Sequence, residues 1–147
     1  MPQATLIIPA LTLTCQGNVS PSAVVKLSNL GDFSCVQATG ATNEVPFGIA
    51  QNWVKGAQGT PFASTYAGVA GDEIMVWGPG STCQAAVKQE SVSIQAGNSV
   101  GANANGEIVT VNSGWAVGFL LESGSANRRE RLRIFVFPHN RSGGSQS

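Results

Sequence analysis

A glycine-punctuated strand pattern, repeated at three places, constrains the fold of this sequence more than any other feature. It occurs in residues 71–76, 97–100 and 106–111, where each copy begins with Gly followed by Asp, Asn or Glu. Glycine tolerates a positive φ at a chain reversal, and the β-branched and apolar residues that follow suit a pleated strand. Turn signals at intervals of roughly eight to twelve residues are typical of sandwiches and barrels. The pattern therefore predicts an all-β fold.

Helix signals are weak throughout the chain. No window of about 11 residues combines an apolar period of 3.6 residues with freedom from Gly and Pro. Strands are predicted over residues 5–14, 23–28, 33–38, 46–52, 73–77, 83–88, 91–95, 107–112, 114–121 and 131–137. Short strands with Gly-rich turns favour a compact, barrel-like domain.

The 147 residues are enough for one domain that needs neither a metal nor a disulfide, because a chain of this length buries about two-thirds of its unfolded surface. Residues 1–15 are predicted to be an N-terminal arm or the first strand, and residues 16–138 a single β domain. Several Gly residues and Pro61 make residues 53–71 a long insertion loop. Residues 139–147 are predicted to be a disordered tail.

The charge balance argues against several classes of partner. Lys plus Arg and Asp plus Glu number eight each, so no global field attracts nucleic acid or an anionic membrane. No apolar run approaches the roughly 20 residues needed to span a bilayer. Only 11% of the residues are charged, so Ser, Thr, Asn and Gln form most of the polar surface. Such a surface favours extensive protein contact.

The three cysteines, Cys15, Cys35 and Cys83, match neither a disulfide framework nor a paired-cysteine zinc motif. They are predicted to be buried or free thiols in a reducing compartment. The apolar run at residues 6–11 has no Lys or Arg before it, so it does not match a signal peptide. The sequence predicts no metal and no cofactor.

Catalytic groups are scarce. The single histidine, His139, lies at the edge of the predicted tail, where a general base would be poorly held. Nucleophile elbow, P-loop, dinucleotide and His-Glu-x-x-His motifs are missing from the sequence. Asp72 and Glu73 are adjacent carboxylates at the entry to a strand, where capping of the turn is expected. The sequence therefore predicts a protein that is not an enzyme and has no small-molecule substrate.

An arginine cluster is the first candidate contact site. It comprises Arg128, Arg129, Arg131 and Arg133 and runs directly into an apolar strand. If the strand begins near Arg129, then Arg129, Arg131 and Arg133 share one face and Leu132 the other. This row is either a solvated or protected strand face, or a contact with another subunit or a partner. Phe62 and Tyr66 in the insertion loop either pack back onto the domain or pack into a neighbour.

The three tryptophans leave a second function open. Exposed indoles often form carbohydrate-binding platforms, which makes a carbohydrate- or receptor-binding β-domain of a virion or cell surface the alternative reading. Trp77 and Trp115 lie at the ends of predicted core strands, and core positions are favoured for them. Trp53 opens the insertion loop.

The order of turns and strands resembles a known family. The residues that carry the resemblance are Gly48-Ile49-Ala50, residues 70–76, residues 94–98 with 106–109, residues 116–122 and the closing strand at 132–137. Over about residues 45–137 the chain is similar to the small phage capsid decoration, or cement, proteins of the DUF2190-like and lambdoid head decoration type. The long insertion loop and the arginine cluster are not part of that family pattern.

The resemblance implies a compact fold often described as a β-tulip. It also implies a structural protein on the outer surface of the capsid in the virion, made in the host cytoplasm and binding the major capsid protein, usually as a homotrimer. Its role would be to stabilise contacts between neighbouring capsid subunits. Such proteins commonly place an N-terminal arm on the shell, and the apolar residues that would make this contact here are Leu6, Ile7, Ile8, Leu11 and Leu13.

Overall fold

The computed structural model describes residues 10–54, 65–87, 94–124 and 131–141, and all of these lie in strands, turns or irregular segments. The prediction of an all-β fold is confirmed. Within these ranges the chain forms no helix that is long and apolar enough to cross a membrane. The ten strands are β1 (Ala10–Cys15), β2 (Val24–Leu27), β3 (Ser34–Gln37), β4 (Gly48–Ala50), β5 (Glu73–Trp77), β6 (Thr82–Ala86), β7 (Ser99–Ala102), β8 (Ile108–Thr110), β9 (Gly114–Leu120) and β10 (Arg131–Arg141).

The first five strands close into a barrel in the order β1-β3-β2-β4-β5. β1 closes it by pairing antiparallel with β5, Leu13 opposite Ile74, and parallel with β3, Cys15 opposite Cys35. Because side chains alternate along each strand, one set points into the barrel. The barrel interior is filled by Leu13, Cys15, Val19, Val25, Cys35, Ala50, Ala67, Ile74 and Val76.

The last five strands form a sheet in the order β6-β10-β9-β7-β8. Every named strand pair in this sheet is antiparallel, and an isolated parallel bridge from Val87 to Ile108 joins the region after β6 to β8. One face packs on the barrel. The core between the two layers includes Val24, Ala38 and Ile49 of the barrel side together with Ile134, Val136, Val100 and Leu120 of the sheet.

Backbone hydrogen bonds join the barrel to the sheet. The Val24 amide donates to the Gly106 carbonyl at 2.8 Å, and the Ala86 amide donates to the Ser22 carbonyl at 2.9 Å. The Gln37 side-chain amide also donates to the Asn105 carbonyl, at 3.0 Å. These bonds satisfy polar groups at the edge of the apolar interface, where unpaired groups would be costly.

The glycines that open the repeated pattern lie at reversals, as predicted. Gly71, Gly97 and Gly106 have φ values of 92°, 91° and 74°. Gly118 has a different role, because a Cβ at this position would overlap the carbonyl oxygen of Phe135 on the neighbouring strand. Only glycine permits that close approach of β9 to β10.

Most strands overlap the predicted ones, with two differences. The repeated pattern at residues 97–100 marks the start of β7, for which no strand range was predicted, and Ile94, from the predicted strand at 91–95, makes only an isolated bridge to Gly124. The predicted tail begins too early, since β10 continues through Arg141. A register shift between Val136 and His139 lets the strand pass Pro138 and keep pairing with β9, down to Arg141 opposite Gly114. The remaining tail, residues 142–147, lies outside the described residues.

Candidate interaction surface

β10 places alternate side chains on opposite faces of the five-stranded sheet. Leu132, Ile134 and Val136 are buried against the barrel. The residues between them are exposed and point away from it: Arg131, Arg133, Phe135 and Phe137. The predicted arrangement of arginines on one face and Leu132 on the other is therefore confirmed for Arg131 and Arg133, and the two phenylalanines extend the same row.

Four rings gather on this outer face, and we name Phe119, Phe135, Phe137 and His139 the ring surface. Phe119 on β9 lies directly opposite Phe135 on β10. The ring of Phe137 lies 6.1 Å from that of Phe119, 6.3 Å from that of Phe135 and 5.9 Å from that of His139, measured between centroids. These separations lie in the range of favourable aromatic contacts, about 4.5–7 Å.

Hydrogen bonds fix the position of His139. Its Nδ1 lies 2.7 Å from the carbonyl oxygen of Phe137, which can only accept, so Nδ1 carries the proton. Nε2 forms a hydrogen bond with the hydroxyl of Ser99, at 3.0 Å. The imidazole stacks on Phe119 with a centroid distance of 4.5 Å and an interplanar angle of 11°. His139 is thus an ordered strand residue, contrary to its predicted place in a tail.

The Ser99–His139 pair has the atoms of a nucleophile and a base, but its setting is structural. Ser99 is only 6% exposed, so its hydroxyl is closed to a substrate. The pair ties β7 to β10 across the outer face of β9. It therefore holds the ring surface in place.

An ion pair borders the ring surface. Oε2 of Glu122 accepts from Nε of Arg133 at 3.2 Å and from its NH2 group at 3.1 Å, and Oε1 accepts from the Arg133 backbone amide at 3.1 Å. The hydrogen bond from that amide, followed by those from the guanidinium, holds the pKa of Glu122 below its ordinary value. The pair fixes the guanidinium of Arg133, a residue on the same strand face as Phe135.

The ring surface is apolar and open. Phe137 is 51% exposed and Phe135 is 37% exposed. Contiguous exposed rings on a rigid sheet are typical of contact surfaces, because aromatic side chains bury a large area with little loss of conformational freedom. This arrangement suits binding of another protein.

The other predicted contact residues are distributed over separate places. Leu11 is 46% exposed at the start of the barrel, whereas Leu13 is 2% exposed and belongs to the barrel core, so its side chain is closed to a partner. Tyr66 is half-buried. Six predicted contact residues lie outside the described residues: Leu6, Ile7, Ile8, Phe62, Arg128 and Arg129.

Sequence reasoning did not select the ring surface. The alternation from Arg131 to Phe137 is visible in the sequence, and it was used for the arginines alone. Phe119 and Ser99 join His139 only through the pairing of β7, β9 and β10. That pairing depends on register and strand order, which a single sequence does not specify.

The predicted turn-capping role of Asp72 is confirmed, since its Oδ2 accepts from the amide of Val69 at 2.9 Å. Among the described residues, no group of three or more His, Cys, Asp and Glu is placed to hold a metal ion.

The tryptophans differ from one another: Trp53 is 49% exposed, and Trp77 packs against the core between barrel and sheet.

The molecule is thus an all-β protein in which a closed barrel supports a five-stranded sheet with an aromatic outer face. No protein-family model matches the chain, and no curated protein matches it. Among solved structures, it is similar to the head fiber gp8.5 N base of bacteriophage phi29, with a TM-score of 0.54 and 17% sequence identity. The alignment covers 86% of this chain and 92% of that one. At this identity the likeness shows a shared fold.

Proposed function

We propose that this protein is a non-enzymatic structural component of a phage virion, attached to the outside of the head. The observation that carries the proposal is the shared fold with a head fiber base, because the likeness extends over nearly the full length of both chains. The resemblance of the turn and strand order to capsid decoration proteins supports the same role independently.

In the finer form of this proposal, the protein is a decoration, or cement, protein that binds the major capsid protein as a homotrimer. It would stabilise contacts between neighbouring capsid subunits. Binding at many equivalent points on a shell multiplies weak contacts, so a modest surface on each copy suffices.

The ring surface is the contact that we assign to the capsid protein. Exposed aromatic anchors bordered by an oriented arginine are typical of protein-binding hot spots. Phe135 and Phe137 supply the apolar area, and the Arg133 guanidinium, held by Glu122, supplies directed hydrogen bonds at the rim. We assign a second contact with the shell to Leu11 and to the predicted residues before it, Leu6, Ile7 and Ile8.

Co-sedimentation with capsids tests the attachment to the head and the assignment of the ring surface as the contact. Capsids of the source phage prepared without the protein are mixed with purified wild type, with a Phe135→Ser, Phe137→Ser double variant, or with a Phe33→Ser control. Phe33 is 80% exposed and lies outside the ring surface. We expect wild type and the control to pellet with capsids, and the double variant to bind at least tenfold more weakly.

The two ways to fail are distinct. If wild type stays in the supernatant and peptide mass spectrometry finds no copies in purified virions, the head-associated role is wrong. If the double variant pellets as wild type does, the role stands and the ring surface is not the contact.

A further inference from the structure

A separate cleft of about 330 Å³ lies where the barrel meets the five-stranded sheet. Its walls include two indoles, Trp53 after β4 and Trp77 at the end of β5. Asn52, Thr82 and Gln84 complete the walls, and the last two lie on the edge strand β6, opposite Phe135 and Arg133. The ring surface contributes no residue to this cleft.

The two indoles differ in packing and in exposure to solvent. Trp77 packs against the apolar core and pairs with Ile49 and Ala10 through its backbone, so it forms a fixed wall. Trp53 is 49% exposed and offers much of its ring to solvent. An exposed indole beside a fixed one makes a surface on which a flat, partly apolar ligand can stack.

The polar side chains of the cleft are available. Asn52, Thr82 and Gln84 are exposed, and within the described ranges their side chains form no hydrogen bond to the protein. Asn52 provides an amide group beside Trp53, and Thr82 and Gln84 provide a hydroxyl and a second amide group at the outer rim of the cleft; all three can donate and accept. Among the residues that the structure describes, those lining the cleft include no charged side chain. The chemistry therefore favours a neutral ligand with many hydroxyl groups.

We propose that this cleft binds the pyranose rings of a neutral glycan. A pyranose presents a face of C–H groups, which carry partial positive charge and are attracted to the negative face of an indole. Its hydroxyl groups lie around the edge of the ring, where the amides of Asn52 and Gln84 can bond them. The volume lies at the small end of ligand sites, about 300–1,000 Å³, and suits one or two sugar rings.

A larger polar groove shares one lining residue with the cleft. Gln84 also lines this groove, which has a volume of about 890 Å³ and includes Gln37, Asn105 and Arg131. A longer oligosaccharide can extend past Gln84 into it, so we expect disaccharides to bind more tightly than the corresponding monosaccharides.

Saturation-transfer difference NMR with the full-length protein tests this site. The probes are neutral mono- and disaccharides of glucose, galactose, mannose, rhamnose and N-acetylglucosamine at millimolar concentration. We expect transfer to at least one of them, and a loss of affinity of about tenfold in Trp53→Ala, because that change removes the exposed stacking face. Gln84→Ala should weaken the same sugar about threefold.

Phe33→Ala is the matched control, since it removes an exposed ring that does not line the cleft. Thermal unfolding of each variant checks that the fold is kept. Transfer to none of the sugars, or equal binding by folded Trp53→Ala and wild type, would overturn the proposal. Trp53→Ala should still co-sediment with capsids, so the glycan site and head attachment are tested separately.

Discussion

At the scale of single residues, Glu44 is a buried carboxylate held by several hydrogen-bond donors. It is 9% exposed and pairs with Nζ of Lys26 at 2.7 Å. It also accepts from the amides of Thr39 and Gly40 and from the Thr39 hydroxyl. Burial alone would raise the pKa of Glu44, but these hydrogen bonds outweigh it and hold the pKa below its ordinary value. The carboxylate form therefore stabilises the fold.

We expect Glu44→Gln to lower the free energy of unfolding by about 2 kcal/mol at pH 7, measured by urea titration, since buried donors lose an ionised acceptor. The lowered pKa also sets a pH dependence. The contribution is fully present above the unfolded pKa, about 4.3, and is lost as the pH falls through the lower folded pKa. The free energy of unfolding of Glu44→Gln should therefore fall less than that of the wild type as the pH is lowered from 5 into the acid range. Exposed Glu73→Gln is the control, and an equal loss in both variants would contradict this role.

The cysteine thiols give a second prediction at this scale. All three are free and buried. Burial raises the pKa of Cys15, and it raises the pKa of Cys35 and of Cys83 to about 12. Because the thiolate is the reactive form, we expect iodoacetamide at pH 8 to label the native protein far more slowly than the urea-unfolded protein. Mass spectrometry of samples taken over time measures both labelling rates. Native labelling at the rate of a free thiol would contradict this burial.

At the scale of elements, two close contacts between strands depend on glycine, because its lack of a Cβ leaves room for a carbonyl group of the neighbouring strand. Gly118 of β9 faces the Phe135 carbonyl, and Gly48 of β4 faces that of Trp77 in the same way. We expect Gly118→Ala to destabilise the protein by about 3 kcal/mol in urea unfolding, because β9 and β10 must separate to admit a methyl group. Gly17→Ala is the control, since a Cβ there meets no atom within 4 Å. Similar stabilities for the two variants would show that β9 can shift without cost.

The sequence predicts which side chains share a face of one strand, but it does not predict which strands pair or in what register. The faces of β10 follow from the order of Arg131, Leu132, Arg133 and Ile134. The ring surface depends on Phe119 lying opposite Phe135, and on a register shift that carries His139 over Phe119. The repeated pattern indicates the start of β7, but its range was not predicted because Ser99 to Ala102 is short and contains Gly101, which weakens a strand signal. The cleft lined by Trp53 and Trp77 likewise forms only when β4, β5 and β6 are brought together.

At the scale of the whole molecule, two apolar layers share the barrel wall. Val76 is fully buried inside the barrel, and Ile49, on a strand paired with the same β5, faces the sheet. A charge in the barrel core would therefore disturb both layers. We expect Val76→Asp to abolish folding, with loss of the cooperative thermal transition, because an unpaired buried carboxylate is too costly to solvate. A folded Val76→Asp with a normal transition would contradict this packing.

Formation of the proposed trimer depends on exposed residues rather than on the two cores. Arg131 points outward from β10 and lines the polar groove, so its removal leaves both cores intact. We expect the wild type to have about three times the 15.1 kDa chain mass by light scattering, and Arg131→Glu to shift it toward the monomer with little change in melting temperature. Charge reversal acts on association, because it replaces a favourable contact with repulsion at a shared axis. A monomeric wild type would exclude the trimer, whereas a trimeric Arg131→Glu would move the subunit interface to another face.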